Sequence, residues 1–220
     1  MNKKLQDVLA KIRSLVWQKP GFVFVTLGDS TAEGVGASHK EKTFAAIIYN
    51  VLKQENKKAK FFNLGRSRAK IRDVIDHQLP QIIDLKPDLT LISVGANDLR
   101  ARTKISDFER DFEYLIEELK NKTNSKIIVS SIPDFSNLPS ISFFLHFFVK
   151  KLIEKFNKVL RKKAEEKNII FVDLHWGSRV FTKKYPELIS EDGFHPSDMG
   201  YALWAAVIIS QAKEHLLKKN

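Results

Sequence analysis

The chain has 220 residues, 43% hydrophobic and 29% charged. That is enough for one folded domain with its own core, and it excludes a disordered chain. There is no cysteine, so a disulfide scaffold, a thiolate nucleophile and a Cys-based zinc site are excluded. Lys plus Arg number 37 against 26 Asp plus Glu, a net charge of +11, which admits nucleic acid, an anionic membrane or an anionic substrate without choosing among them.

Residues 1–20 place Leu5, Val8, Leu9, Ile12, Leu15 and Val16 at helical spacing, which predicts an N-terminal amphipathic helix. Asp7, Lys11 and Arg13 interrupt any apolar signal-peptide core. Phe143–Val149, the longest apolar stretch, contains His146 and is far shorter than the ~20 residues of a membrane span. The expectation is a soluble, cytoplasmic protein with one domain over residues 21–220.

Five apolar runs follow: Phe22–Leu27, Lys60–Leu64, Leu89–Val94, Lys126–Ile132 and Ile169–Val172. Continuous runs of this length suit strands buried on both faces of a parallel sheet. Helical spacing fills the gaps over Thr43–Lys53, Ile71–Leu85 with a kink at Pro80, and Phe148–Lys167. A further helix runs from a cap near Ser106 to about Lys120, and Ser197–Leu217 closes the chain. Strand–helix alternation predicts an α/β fold with a five-stranded parallel sheet between helical layers.

In such sheets the active crevice lies at the carboxyl ends of the strands. Gly28-Asp29-Ser30 follows the first run, Gly65 the second and Gly95-Ala96-Asn97-Asp98 the third, with Asp192-Gly193-Phe194-His195-Pro196 near the C-terminus. A serine hydroxyl needs a neighbouring base to act as a nucleophile, and histidine can accept and return a proton near neutral pH. In a tight turn Asp192 reaches one ring nitrogen of His195 and leaves the other for Ser30. Pro196 keeps His195 in extended backbone, on a loop.

These four tracts, in this order, resemble the SGNH hydrolases, also called the GDSL esterase/lipase family, whose signature residues match as Ser30, Gly65, Asn97 and His195. The resemblance spans residues 22 to about 205. It implies a flavodoxin-like three-layer fold and hydrolysis of acyl esters, with Ser30, His195 and Asp192 as catalytic triad. It further implies an oxyanion hole from the Ser30 and Gly65 N–H groups and the Asn97 amide. Gly65, lacking a Cβ, would let the backbone approach the substrate closely. No cofactor or metal is expected, since the chain lacks metal-ligand spacing. Asp29 and Asp98 are then structural hydrogen-bonding groups.

His175, in Asp173-Leu174-His175, is the rival base, but its tract lacks the Gly and Pro that shape a loop. His39, His77 and His215 read as surface residues, and His146 as packing or lid. Where the family continues Ser-Gly after Gly65, this chain reads Arg66-Ser67-Arg68. These arginines either face solvent or meet an anionic group of the substrate, Arg68 being the candidate contact. Between Leu138 and Phe148, Phe143, Phe144 and Phe147 are candidates for an apolar acyl wall or lid; the alternative is buried core. The lysines that follow, from Lys150 to Lys163, suggest weak contact with anionic headgroups.

The reading is a serine esterase or lipase-like hydrolase of small-molecule or lipid esters, lysophospholipase-like in one version. A carbohydrate O-deacetylase would use the same triad. A non-catalytic basic protein for membrane or nucleic acid is the alternative of a different class. Nucleic acid is disfavoured because no such motif appears.

Overall fold

The computed structural model describes residues 21–138, 141–175 and 185–217. The expected N-terminal helix lies outside them. Five parallel strands form one sheet in the order β2-β1-β3-β4-β5: β1 Val23–Gly28, β2 Lys60–Asn63, β3 Leu89–Ser93, β4 Lys126–Ser130 and β5 Ile170–Val172. The alternation of side chains along β1 builds two cores. Val25 and Leu27, with Ile92 and Val129, pack under one helical layer. Phe24, with Leu91 and Ile128, packs under the other.

The first layer holds α3 (Ile71–Asp73, Val74–Gln78 and Leu79–Leu85), α5 (Ile105–Lys122) and α6 (His146–Glu166), and the second holds α2 (Phe44–Glu55) and α7 (Asp198–Leu217). The expected three-layer α/β/α architecture is therefore present. Burial on both faces holds for the central strands only. Lys60 and Asn63 of β2 are exposed, and β5 is half-buried for two of its three residues, because these are the edge strands.

Several boundaries shift. The Thr43 side chain caps α2 by accepting the Ala46 N–H at 3.2 Å. In α5 the helix starts at Ile105, so Ser106 lies inside the first turn and caps nothing. Helix α3 runs through Ile71–Asp73, a π turn at Val74–Gln78, and Leu79–Leu85. The bend expected at Pro80 takes the form of this π turn, in which Leu79 N–H reaches back to Val74 O. Pro80 has no N–H, and its ring would crowd the carbonyl four residues earlier in a regular helix. Two short helices, α1 (Ser30–Glu33) and α4 (Ala96–Arg100), were not expected, and both follow directly on strands.

The lysines of α6 divide by partner. Lys162 and Lys163 pair with Glu109 and Glu113 of α5, which join the two helices. Lys151, Lys155 and Lys158 stay exposed without an ion pair among the described residues.

Candidate active site

The turn that presents Ser30 leaves no room for a side chain at its first residue. Gly28 has φ +139°, and a Cβ there would stand 1.8 Å from the Ser93 carbonyl oxygen. Asp29 then crosses to β3 through its N–H, which donates to Ser93 O at 3.0 Å. Its carboxylate caps α1 by accepting from the Thr31 N–H at 3.0 Å and the Thr31 hydroxyl at 2.9 Å. Ser30 is thus the first residue of α1, held at the carboxyl edge of the sheet. Burial, at 2% exposure, raises the Asp29 pKa to about 6 despite the Thr31 bonds, which favour the charged form. The Ser30 N–H donates to no other described residue.

The second half of the site comes from a small closed loop. Ser190 N–H donates to His195 O at 2.8 Å, and Ile189 and Pro196 form an isolated bridge. Gly193, at φ +71°, turns the chain back in the left-handed region that glycine tolerates. Asp192 organises the loop. Its Oδ1 accepts from the Ser190 hydroxyl at 2.8 Å and from the N–H groups of Phe194 and His195 at 2.8 and 2.9 Å. Its Oδ2 lies 2.6 Å from His195 Nδ1. Burial opposes ionisation of Asp192, but the bonds from His195, Phe194 and Ser190 outweigh it and hold its carboxyl well below the usual range.

His195 Nε2 lies 2.9 Å from Ser30 Oγ. An imidazole with Nδ1–H facing Asp192 is able to accept the serine proton at Nε2, the geometry that a triad requires. The ring at Ser30 belongs to His195; His175 stands at the end of β5, where its N–H donates to Ser131 Oγ at 2.9 Å and Asp173 Oδ1 at 3.0 Å. The start of α7 is clamped to the segment after α1. Asp198 accepts from the Ser38 N–H and hydroxyl and pairs with Lys42, while the Tyr201 hydroxyl donates to Val35 O at 2.6 Å.

Gly65 stands against α1, with two departures from expectation. The space at Gly65 is taken by α1, not by substrate: a Cβ would stand 2.4 Å from Glu33 N and 2.6 Å from the Ala32 carbonyl carbon. The Gly65 N–H is also engaged, donating to Asn63 Oδ1 at 3.0 Å. Asn63 ties β2 to α1 through Nδ2, which donates to Ala32 O at 2.8 Å. Asn97 donates one amide hydrogen to Ala69 O at 3.1 Å, and an amide nitrogen carries a second. Next to it, buried Asp98 accepts the Ile71 N–H at 2.9 Å; burial raises its pKa to about 6. Asp29 and Asp98 both serve as structural anchors.

An open pocket of about 350 Å³ lies at Asp192 and His195, lined also by Arg100, Phe135, Ile141 and Phe194. Phe144 and Phe147 do not line it; they are 89% and 68% exposed. The apolar wall is formed by Phe135 and Phe194 instead, whose ring centroids are 5.5 Å apart. The side chain of Phe143 is outside what the structure describes. Arg66 and Arg68 are exposed, and Arg68 has φ +67°. For a non-glycine residue that conformation costs ~1–2 kcal/mol. Among the described residues no cluster of His, Asp and Glu has the form of a metal site, and no helix is long and apolar enough to cross a membrane.

Known proteins share this architecture. An acetylxylan esterase from Geobacillus stearothermophilus is 23% identical over 158 residues, 68% of this chain and 70% of that protein. A solved structure of an acetylxylan esterase from that organism superposes with a TM-score of 0.68 at 20% identity, covering 92% of this chain and 98% of the other. A structure described as a GDSL-like lipase from Parabacteroides merdae gives 0.74 at 23% identity, with 88% and 96% covered. The model of the GDSL-like lipase/acylhydrolase family matches residues 26–203, most of the chain and every strand-end tract, and the chain belongs to that family of acyl-ester hydrolases.

Proposed function

We propose that the protein is a serine esterase that removes short acyl groups, acetyl foremost, from a hydroxylated substrate such as a carbohydrate. The observation that carries this is the continuous hydrogen-bonded line from Ser30 Oγ through His195 to Asp192. His195 takes the Ser30 proton as Oγ attacks the ester carbonyl, and Asp192 stabilises the imidazolium that forms. The oxyanion is met by the Ser30 N–H and the second amide hydrogen of Asn97. The Gly65 N–H joins them by exchanging its bond to Asn63. Loss of one such donor typically costs ~2.7–4 kcal/mol in the transition state. His195 then returns its proton to the departing alcohol. Water, activated by the same ring, cleaves the acyl-serine.

Phe144 and Phe147 are turned out to solvent and do not extend the wall made by Phe135, Ile141 and Phe194, which supports a short acyl group. The likeness to acetylxylan esterases supports the same reading. The deciding experiment measures turnover of p-nitrophenyl esters from acetate to octanoate and acetate release from acetylated xylan, by wild type and Ser30→Ala. Rates falling beyond acetate and absent in Ser30→Ala fit the proposal. Rates rising towards octanoate would replace it with a lipase-like reading.

A second reading, contact with an anionic membrane surface, is supported by the tip of α6. There Phe144, Phe147 and Phe148 are exposed beside Lys151, whose Nζ lies 4.4 Å from the Phe147 ring centroid. Apolar side chains with adjacent lysines are the composition that interfacial binding requires. Co-sedimentation with vesicles containing anionic lipid, lost in Phe147→Ser with Phe148→Ser, tests it. No binding to such vesicles would dismiss it.

A further inference from the structure

Two segments beside the expected oxyanion donors carry an unusual run of cations. The loop after Gly65 contains Arg66, Arg68 and Lys70, and α4 with the turn after it contains Arg100 and Arg102. The Asn97 amide donates to Ala69 O, so the segments lie against each other and form one rim. All four arginines are exposed, and none has an ion pair among the described residues. The acidic groups nearby are committed elsewhere. Glu33 accepts from the Ser67 N–H and hydroxyl, buried Asp98 from the Ile71 N–H, Asp73 from the Lys70 N–H, and Asp192 from His195.

Arg100 is the best placed of the group. It follows Asn97 by three residues in α4, which puts both side chains on one helical face. Its guanidinium carbon lies 5.4 Å from the Phe194 ring centroid, and the side chain lines the pocket with His195. Arg68 and Arg102 add a backbone argument. Both sit at positive φ, +67° and +57°, where glycine would be unstrained. At Arg102 that conformation ends α4, as at Lys86 it ends α3; at Arg68, in a loop, the long cationic side chain is held against the backbone preference, which points to a use for it.

We propose that this rim is an anion-binding subsite, in which Arg100, with Arg66 and Arg68, holds a negatively charged group of the ester while Ser30 attacks. The chemical class is an ester bearing a carboxylate, phosphate or sulfate, whose oxygens match the planar donor fork of arginine. This rests on the esterase reading and adds the charge of the substrate to it.

The test compares kcat/KM for three esters, each divided by its rate of hydroxide hydrolysis. They are neutral p-nitrophenyl acetate, 4-acetoxybenzoate with the anion on the alcohol side, and mono-4-nitrophenyl glutarate with the anion on the acyl side. Wild type is expected to favour one anionic ester about ten-fold or more, and the preference should shrink between about 0.02 M and 0.5 M salt as screening grows. Which ester is favoured locates the charge. Arg100→Gln should lower the anionic-to-neutral ratio about ten-fold, the scale of one charged hydrogen bond. Arg68→Gly relieves the strained backbone, so it should lower that ratio about three-fold without lowering the Tm. Turnover of the neutral ester with no anionic preference, or a ratio within about two-fold of wild type in both variants, overturns the subsite alone. No turnover of any of the three overturns the esterase reading and the subsite with it.

Discussion

Gln78 grips the backbone of Gly28 from both sides. Its Oε1 accepts the Gly28 N–H at 2.8 Å and its Nε2 donates to Gly28 O at 2.9 Å. The two residues are fifty apart in sequence, and Gly28 is two before Ser30. Gln78 is 3% exposed at the end of the π turn of α3, so helix α3 sets the position of the β1–α1 turn. Gln78→Ala should cost about 1–3 kcal/mol by leaving the Gly28 N–H without its partner. Because the freed turn carries Ser30, kcat should fall more than KM changes; urea unfolding beside steady-state kinetics measures both. A variant with altered stability and unchanged kcat would limit Gln78 to a structural role.

Ser30 and His195 should behave as one unit. Ser30→Ala should abolish labelling by a serine-directed fluorophosphonate. His195→Ala should lower kcat by about ten-thousand-fold with the circular dichroism spectrum unchanged. His175→Ala should leave kcat near wild type, since its ring is not the one at Ser30. A severe effect of His175→Ala together with a mild one of His195→Ala would reverse the assignment.

The buried carboxyls give stability an acid optimum. Asp29 and Asp98 have folded pKa values of about 6, above their ordinary values, because burial disfavours their charge. Stability from a raised pKa is fully present below the ordinary value near 4 and is lost as pH rises through the folded value. Asp192 and Asp198 are shifted down, so their contributions are present above about pH 4 and are lost at lower pH. The Tm should therefore rise from pH 7.5 to about 5 and fall below about 4. Asp29→Asn keeps an acceptor for Thr31 and removes the buried charge. It should flatten the upper limb and add up to about 3 kcal/mol at pH 7.5. Differential scanning calorimetry across this range measures both limbs.

Gly65→Ala should damage activity through α1. The added Cβ meets the backbone of Ala32 and Glu33, which must shift and carry Ser30 with them. Labelling by fluorophosphonate should slow by at least ten-fold, about 1.4 kcal/mol in the barrier. Full labelling speed would show that the helix can yield without moving the nucleophile.

The strand ends were legible because apolar runs stop abruptly at Gly28, Gly65 and Gly95, and the chemistry lies where the runs stop. The pairing of Asp192 with His195 was legible from their spacing and Pro196. What escaped reading was support from distant chain. Gln78 is a polar residue on the apolar stripe of Ile71, Val74, Ile75, Leu79 and Ile82, and that anomaly was the signal for it. Asn63 ends a strand in a tract that reads as a simple stop, and nothing local says that it occupies the Gly65 N–H. The aromatic segment misled because phenylalanine composition suits a core, a pocket wall and an exposed tip equally; only the exposure of Phe144 and Phe147 separates them.

The clamp at the start of α7 has a consequence for how the enzyme fails on heating. Ser30 is carried by the sheet, whereas Asp192 and His195 sit on a loop held by the Ile189–Pro196 bridge and by Asp198 on Ser38 and Lys42. Few buried apolar side chains hold that loop, so its local opening needs less free energy than melting the two cores. Catalytic competence is then expected to have its own, lower transition: activity should disappear while the sheet still gives its full spectroscopic signal, and should return on cooling. On that expectation thermal tolerance is limited at the loop, and a more durable catalyst would come from tightening the Asp198 clamp before any change to the core.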